Sequence, residues 1–292
     1  MKHDDHAIHF NCDDATLLGI LSVPATVHDT AVLIVVGGPQ YRVGSHRQFV
    51  LLARTLADAG IAVLRFDVRG MGDNNGESRS FERVSDDIAA AIDCLQCRLP
   101  ELRRIILWGL CDGASAALLY CHETCDKRIS GLCLINPWVR SETSLAATQI
   151  KHYYTRRRLE PEFWRKLATG RIESGTAAEF MHKLRLAVTG SANASSVRGM
   201  TRSGTFQQRM AGAWTSFEGP ILLLLSGRDL TAKEFLEAAA HDPAWAGALQ
   251  HRRLSRRELP EADHTFSDAA SRDQVHAATI GWIAQEVAHE SL

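Results

Sequence analysis

The sequence predicts an α/β fold, a mainly parallel central sheet with helices on both faces and one insertion, and three observations predict it. Short runs rich in Val, Ile and Leu recur along the chain, helical patterns separate them, and the alternation breaks once before it resumes. Near-continuous apolarity over so short a length marks strands buried on both faces. Strands alternating with helices specify a parallel sheet with right-handed crossovers. Such a sheet carries its site outside the carboxyl ends of its strands.

The predicted strands are 17–23, 31–36, 61–66, 104–108, 131–135 and 221–225. Between them lie the helical patterns 47–59, closed by Gly60, 83–99, closed by Pro100, and 113–122. A final helix, 274–287, packs its apolar stripe on the sheet. The rhythm breaks after Asn136 and resumes at Pro220, so the expected organisation is a core of 1–137 and 217–292 with a lid insertion at 138–216. The insertion holds helical pieces, a basic stretch at 153–158 and a Gly-, Ser- and Asn-rich patch at 189–204 that reads as a loop. An insertion at this point in the chain belongs above the strand ends.

Composition bounds the function. Of 292 residues, 45% are hydrophobic and 23% charged, which suits one globular core with an appendage. A formal net charge of -1 provides no basic field for nucleic acid, and no nucleic-acid partner is expected. Residues 1–14 are polar, with three histidines and no apolar run of a signal peptide. No stretch approaches the roughly 18 apolar residues of a membrane span. The expectation is a cytoplasmic protein without an integral membrane segment. Seven cysteines without a secretory signal read as reduced thiols. Cys94 and Cys97 form a CxxC inside a predicted helix with no second pair at zinc-finger spacing, so neither metal nor cofactor is expected.

The chemistry centres on residues 105–117, a strand, then Gly109-Leu110-Cys111-Asp112-Gly113, then a helix of small residues. Strand, G-x-C-x-G and helix form the context of a nucleophile elbow. The tight turn needs Gly109 and Gly113 to avoid backbone clashes, and the helix N-terminus favours negative charge on the sulfur. The alternative is a strand-to-helix turn with Cys111 as a small core residue. Gly37 and Gly38 end an earlier strand, where backbone N–H groups can stabilise an oxyanion. Pro39 has no N–H, so Gly38 is the expected donor, with the N–H of Asp112 as the second. The carboxylate of Asp112 is expected to point away from the oxyanion. An ordinary tight turn is the other use for the glycine pair.

Asp229 follows a late strand in Ser226-Gly227-Arg228-Asp229, and His264 lies in the loop between the last predicted strand and the last helix. Nucleophile, acid and histidine in that chain order are the order of a known triad, with Asp229 orienting the imidazole of His264. Asp229 is equally suited to capping the helix that starts near Thr231. Asp263, adjacent to the histidine, is a rival acid with poorer geometry. His276 and His289 fall in the terminal helix as surface residues. The segment from Asp67 to Asp73 reads as a rigid loop near the pocket.

Together these motifs resemble the α/β-hydrolase superfamily over nearly the whole chain: D-x-R-G-x-G at 67–72, the G-x-C-x-G elbow, the G-R-D acid loop and the D-H-x-F histidine loop. Cysteine at the elbow is similar to dienelactone hydrolases, from which the lid-sized insertion departs. The segments 37–46, 109–113 and 226–231 look closer to the exosortase A system-associated hydrolases of type 1, which accompany exopolysaccharide loci. The resemblance implies a small-molecule or acylated-saccharide substrate and a Cys111–His264–Asp229 triad acting on an ester, thioester or lactone through an S-acyl-enzyme. Gln40, Arg69, Arg156 and Arg157 are candidate substrate contacts, the two lid arginines being also explicable as a solvated face. Acyl transfer from the same intermediate and a silent, ligand-binding hydrolase fold are the alternatives.

Overall fold

The computed structural model describes residues 3–26, 29–38, 40–140 and 204–289. Eight strands form one sheet: β1 (His3–Cys12), β2 (Ala15–Pro24), β3 (Thr30–Val35), β4 (Ala62–Phe66), β5 (Arg104–Leu110), β6 (Ile129–Ile135), β7 (Ile221–Ser226) and β8 (Leu254–Leu259). Their order is β1-β2-β4-β3-β5-β6-β7-β8. The β1–β2 and β2–β4 pairs are antiparallel, and every pair from β4 to β8 is parallel. The chain leaves β3 toward β4 on one side and reaches β5 on the other. A crevice opens at such a reversal, beyond the carboxyl ends of the strands.

The central strands match their apolar runs. Along β3, Leu33 and Val35 face one core and Val32 and Ile34 the other, all fully buried. Against the second core lie α1 (Gln48–Asp58), through Phe49, Leu52 and Leu56, and α6 (Ala269–His289), through Val275, Ala278 and Trp282. Against the first lie α2 (Ser85–Arg98), α3 (Asp112–Thr124), α4 (Phe206–Ser216) and α5 (Leu230–His241). The strand β1, for which the apolar pattern gives no signal, is an edge strand. Only Ile8 and Cys12 of its ten residues are buried, so it never acquires the continuous apolar run of a central strand.

Backbone contacts divide the chain into 1–139 with 204–292, and 140–203. Residues 206–216, drawn into the insertion by the sequence reading, are therefore helix α4 of the core. A capping box between Thr205 and Gln208 starts this helix. Trp214, fully buried, donates from Nε1 to the Ala248 carbonyl at 2.8 Å and packs edge-on against Trp245. Gln207 Nε2 donates to the Val139 carbonyl at 3.3 Å, joining the two core ends that flank the other unit. The expected basic stretch at 153–158, and the loop patch up to residue 203, lie outside the described residues. Among the described residues, no helix is long and apolar enough to cross a membrane.

Candidate active site

Four loops at the carboxyl ends of β3, β5, β7 and β8 supply the candidate residues. Cys111 stands between β5 and α3 with φ 60 and ψ -125, a conformation that side chains rarely adopt. The surrounding structure holds it there. Its N–H donates to the Ile135 carbonyl at 2.9 Å, and its carbonyl accepts from Ala114 at 3.1 Å and Trp138 at 3.2 Å. A Cβ on Gly113 would lie 2.4 Å from the Val35 carbonyl oxygen, and one on Gly109 would lie 2.5 Å from the Ala114 nitrogen. Both flanking glycines are thus required by close backbone approach. Cys111 itself is half-buried, so its sulfur is neither a sealed core group nor a free surface thiol.

Asp229 makes at once the contacts that its two expected uses require. Its Oδ1 accepts the Thr231 N–H at 3.0 Å as the N-cap of α5, and its Oδ2 lies 2.8 Å from His264 Nδ1. A carboxylate with two acceptor oxygens reconciles both readings. The rival, Asp263, turns into its own loop, accepting from the Thr265 and Ser267 N–H groups at 3.0 and 3.1 Å and from the Ser267 hydroxyl. The bond from His264 to the Asp229 carboxylate, with the neighbouring Cys111 sulfur, raises the imidazole pKa to about 10 against the opposing effect of burial. With Nδ1 directed at Asp229, Nε2 is the nitrogen left for the sulfur.

The first expectation the structure corrects concerns Asp112. Its carboxylate does not point away: Oδ2 accepts the Gly38 N–H at 2.7 Å. The cause is the missing side chain at Gly37, where a Cβ would lie 2.0 Å from Asp112 Oδ1. Burial raises the carboxyl pKa, opposed by the N–H groups of Gly38, Asp112 and Gly113 and by the charge of His264. The second correction is Arg69. Its side chain is 3% exposed and donates from Nε to Asp87 Oδ1 at 2.7 Å, while Nη2 reaches the Cys12 sulfur at 2.8 Å. It is a buried structural cation and cannot meet a substrate. Gln40 folds onto its own loop, its Oε1 accepting the Ser45 N–H at 3.3 Å. Arg156 and Arg157 lie outside the described residues.

Several supporting residues escaped the sequence reading. Buried Asn136, at φ 45, accepts the Ser226 N–H and donates to its hydroxyl, both at 2.9 Å, fastening the ends of β6 and β7. An Asn just past a strand was the available signal, since Asn tolerates this backbone region. Ser115 Oγ donates to the Trp138 carbonyl at 2.7 Å and pins the segment after β6 to the elbow. Asp67, fully buried, accepts the Arg42 N–H at 2.6 Å and pairs with the Arg42 guanidinium, which also reaches Asp73 at 2.5 Å. The D-x-R-G-x-G segment is therefore a brace for the loop after β3. His276, expected at the surface, is 7% exposed and contacts the Thr55 hydroxyl at 3.2 Å.

A mainly parallel sheet with helices on both faces, an elbow after β5 and loop residues after β7 and β8 define an α/β-hydrolase. The chain belongs to the Hydrolase_4 family, described as serine aminopeptidase, S33, whose model matches residues 28–250. The matched span includes Cys111. Solved structures agree on the fold. The esterase Pf2001 of Pyrococcus furiosus is 15% identical with a TM-score of 0.64, over 97% of this chain and 93% of that one. Est1E of Butyrivibrio proteoclasticus, bound to ferulic acid, is 15% identical with a TM-score of 0.62, over 97% and 100%. A dienelactone hydrolase from Anabaena variabilis is 16% identical with a TM-score of 0.60, over 98% and 99%. No curated protein matches the chain.

Proposed function

We infer that the protein is a cysteine hydrolase that cleaves an ester, thioester or lactone of a small-molecule substrate through an S-acyl-enzyme on Cys111. One observation carries the reading: His264, bonded through Nδ1 to the buried Asp229 carboxylate, stands beside Cys111 at its strained elbow. His264 takes the thiol proton, sulfur attacks the carbonyl carbon, and the displaced alcohol or thiol leaves with that proton. Water, deprotonated by His264, then attacks the S-acyl carbon, and the acid departs as the thiol is restored. Asp229 keeps the proton on Nδ1 and stabilises the imidazolium. The elbow N–H of Asp112 is a donor for the oxyanion.

Esters and thioesters are favoured over amides because a thiolate leaves a tetrahedral intermediate more readily than an amine does. The esterase and dienelactone hydrolase among the structural neighbours support the same class. Together with the motif resemblance to exosortase A system-associated hydrolases, this directs the substrate panel toward acylated saccharides. The test is intact-mass detection of an adduct after mixing with activated esters and thioesters. An acyl mass gained by wild type and absent in Cys111→Ala is expected. An adduct that persists in Cys111→Ala rejects the nucleophile assignment.

A further inference from the structure

The oxyanion position already holds an anion of the protein itself. Asp112 Oδ2 takes the Gly38 N–H at 2.7 Å, the bond that a substrate carbonyl oxygen needs. The space is fitted to it. Gly37 supplies no Cβ, and one placed there would lie 2.0 Å from Oδ1 and 2.3 Å from the Gly113 nitrogen. Oδ1 is buried without a well-formed hydrogen bond, so the carboxylate is seated for the bond made by its other oxygen. Asp112 also follows the nucleophile directly, and its own N–H is the second expected donor. One residue thus contributes a donor to the oxyanion hole by its backbone and an occupant by its side chain.

We propose that Asp112 is a positioning residue that governs entry to the oxyanion hole: its carboxylate fills the hole in the resting enzyme, and a substrate carbonyl reacts only after displacing it from Gly38. The inference rests on Cys111 being the nucleophile. A carboxylate that accepts a backbone N–H makes a stronger bond than a neutral carbonyl does. The neutral carbonyl of the bound substrate therefore competes poorly, and the advantage reverses as negative charge develops on its oxygen during attack. Displacing the carboxylate weakens every complex that fills the hole, relative to the free enzyme, by the same amount.

The test uses the whole protein, iodoacetamide and butanal. Iodoacetamide alkylates Cys111 at a saturated carbon and forms no oxyanion, so its rate is the reference in each protein. Butanal adds reversibly: the sulfur–carbon bond forms, the carbonyl pair moves onto oxygen, and that oxygen takes the thiol proton by way of His264. Its affinity is read as protection of Cys111 from alkylation. In Asp112→Ala the hole is empty, and protection should need about tenfold less butanal, the worth of one charge-assisted hydrogen bond no longer displaced. Asp112→Asn keeps the shape and the acceptor but not the charge, and should fall between wild type and Asp112→Ala. This second variant retains the loop contact if the first fails to fold. Butanal affinity that is equal or weaker in the folded variants overturns the inference while leaving Cys111 as nucleophile. Absence of any butanal protection in all three proteins rejects both readings.

Discussion

Replacing Gly37 with alanine tests how the loop after β3 meets the elbow. The new Cβ would lie 2.0 Å from Asp112 Oδ1 and 2.3 Å from the Gly113 nitrogen, where 3.0 Å is the practical limit. The carboxylate can swing aside. The Gly113 nitrogen cannot, because it belongs to the first turn of α3 and a Cβ on Gly113 would itself lie 2.4 Å from the Val35 oxygen. The loop carrying the Gly38 N–H must then retreat by about 0.7 Å, the difference between 3.0 and 2.3 Å. A misplacement of about 1 Å costs on the order of 100-fold in rate, or about 2.7 kcal/mol. The assay is the burst of 4-nitrophenolate from 4-nitrophenyl acetate, with thermal unfolding to verify the fold. Gly38→Ala is the contrast. Its Cβ meets nothing nearer than 3.7 Å, so only the strain of φ +61, on the order of 1 kcal/mol, applies. Acylation by Gly37→Ala within threefold of wild type, in a protein of wild-type stability, would refute the reasoning.

Asp229→Asn should keep the cap on Thr231 but lose the carboxylate bound to His264, so NMR of labelled histidine should show the titration fall from about 10 toward 6.5 with little change in thermal midpoint. The raised pKa also gives a stability contribution that is complete below about 6.5 and lost as pH rises through about 10; urea unfolding across that range should show this slope in wild type and a reduced one in the variant. His276 works in the opposite direction. Burial, with Arg272 nearby, lowers its pKa to about 4, so wild type should lose stability as pH falls from 6.5 to 4, and His276→Gln should flatten that loss in urea melts. Arg69→Met would strand the fully buried Asp87 carboxylate. About 3–5 kcal/mol of unfolding free energy should disappear, measured by denaturant titration, while the acyl adduct on Cys111 still forms in the folded fraction.

The parts legible in the sequence are those set by local pattern. The strands β3 to β7 announce themselves because both faces are covered, and β1 does not because its outward side chains meet water. The order of Cys111, Asp229 and His264 was readable because each follows a strand end, and the structure bonds His264 to Asp229 with Cys111 close by. What escaped depends on partners distant in sequence. Arg69 looks like a cleft cation until Asp87 from α2 and Cys12 from β1 enclose it. The orientation of Asp112 is decided by an absent Cβ 75 positions earlier, a steric fact that no local propensity encodes. Asp229 posed a choice between capping Thr231 and meeting His264, and its two oxygens make both contacts.

The hydrogen bond from Gln207 to Val139 gives the fold a seam. Both residues belong to the core, so the chain departs from and returns to nearly the same point around residues 140–203. Ends that already meet make the excursion a module exchangeable without altering the sheet. Shortening roughly sixty residues to about six changes the closure entropy by only ~2 kcal/mol, and in the direction that favours folding. A lineage can therefore vary this segment while Trp214 and its neighbours keep the far side of the seam in place.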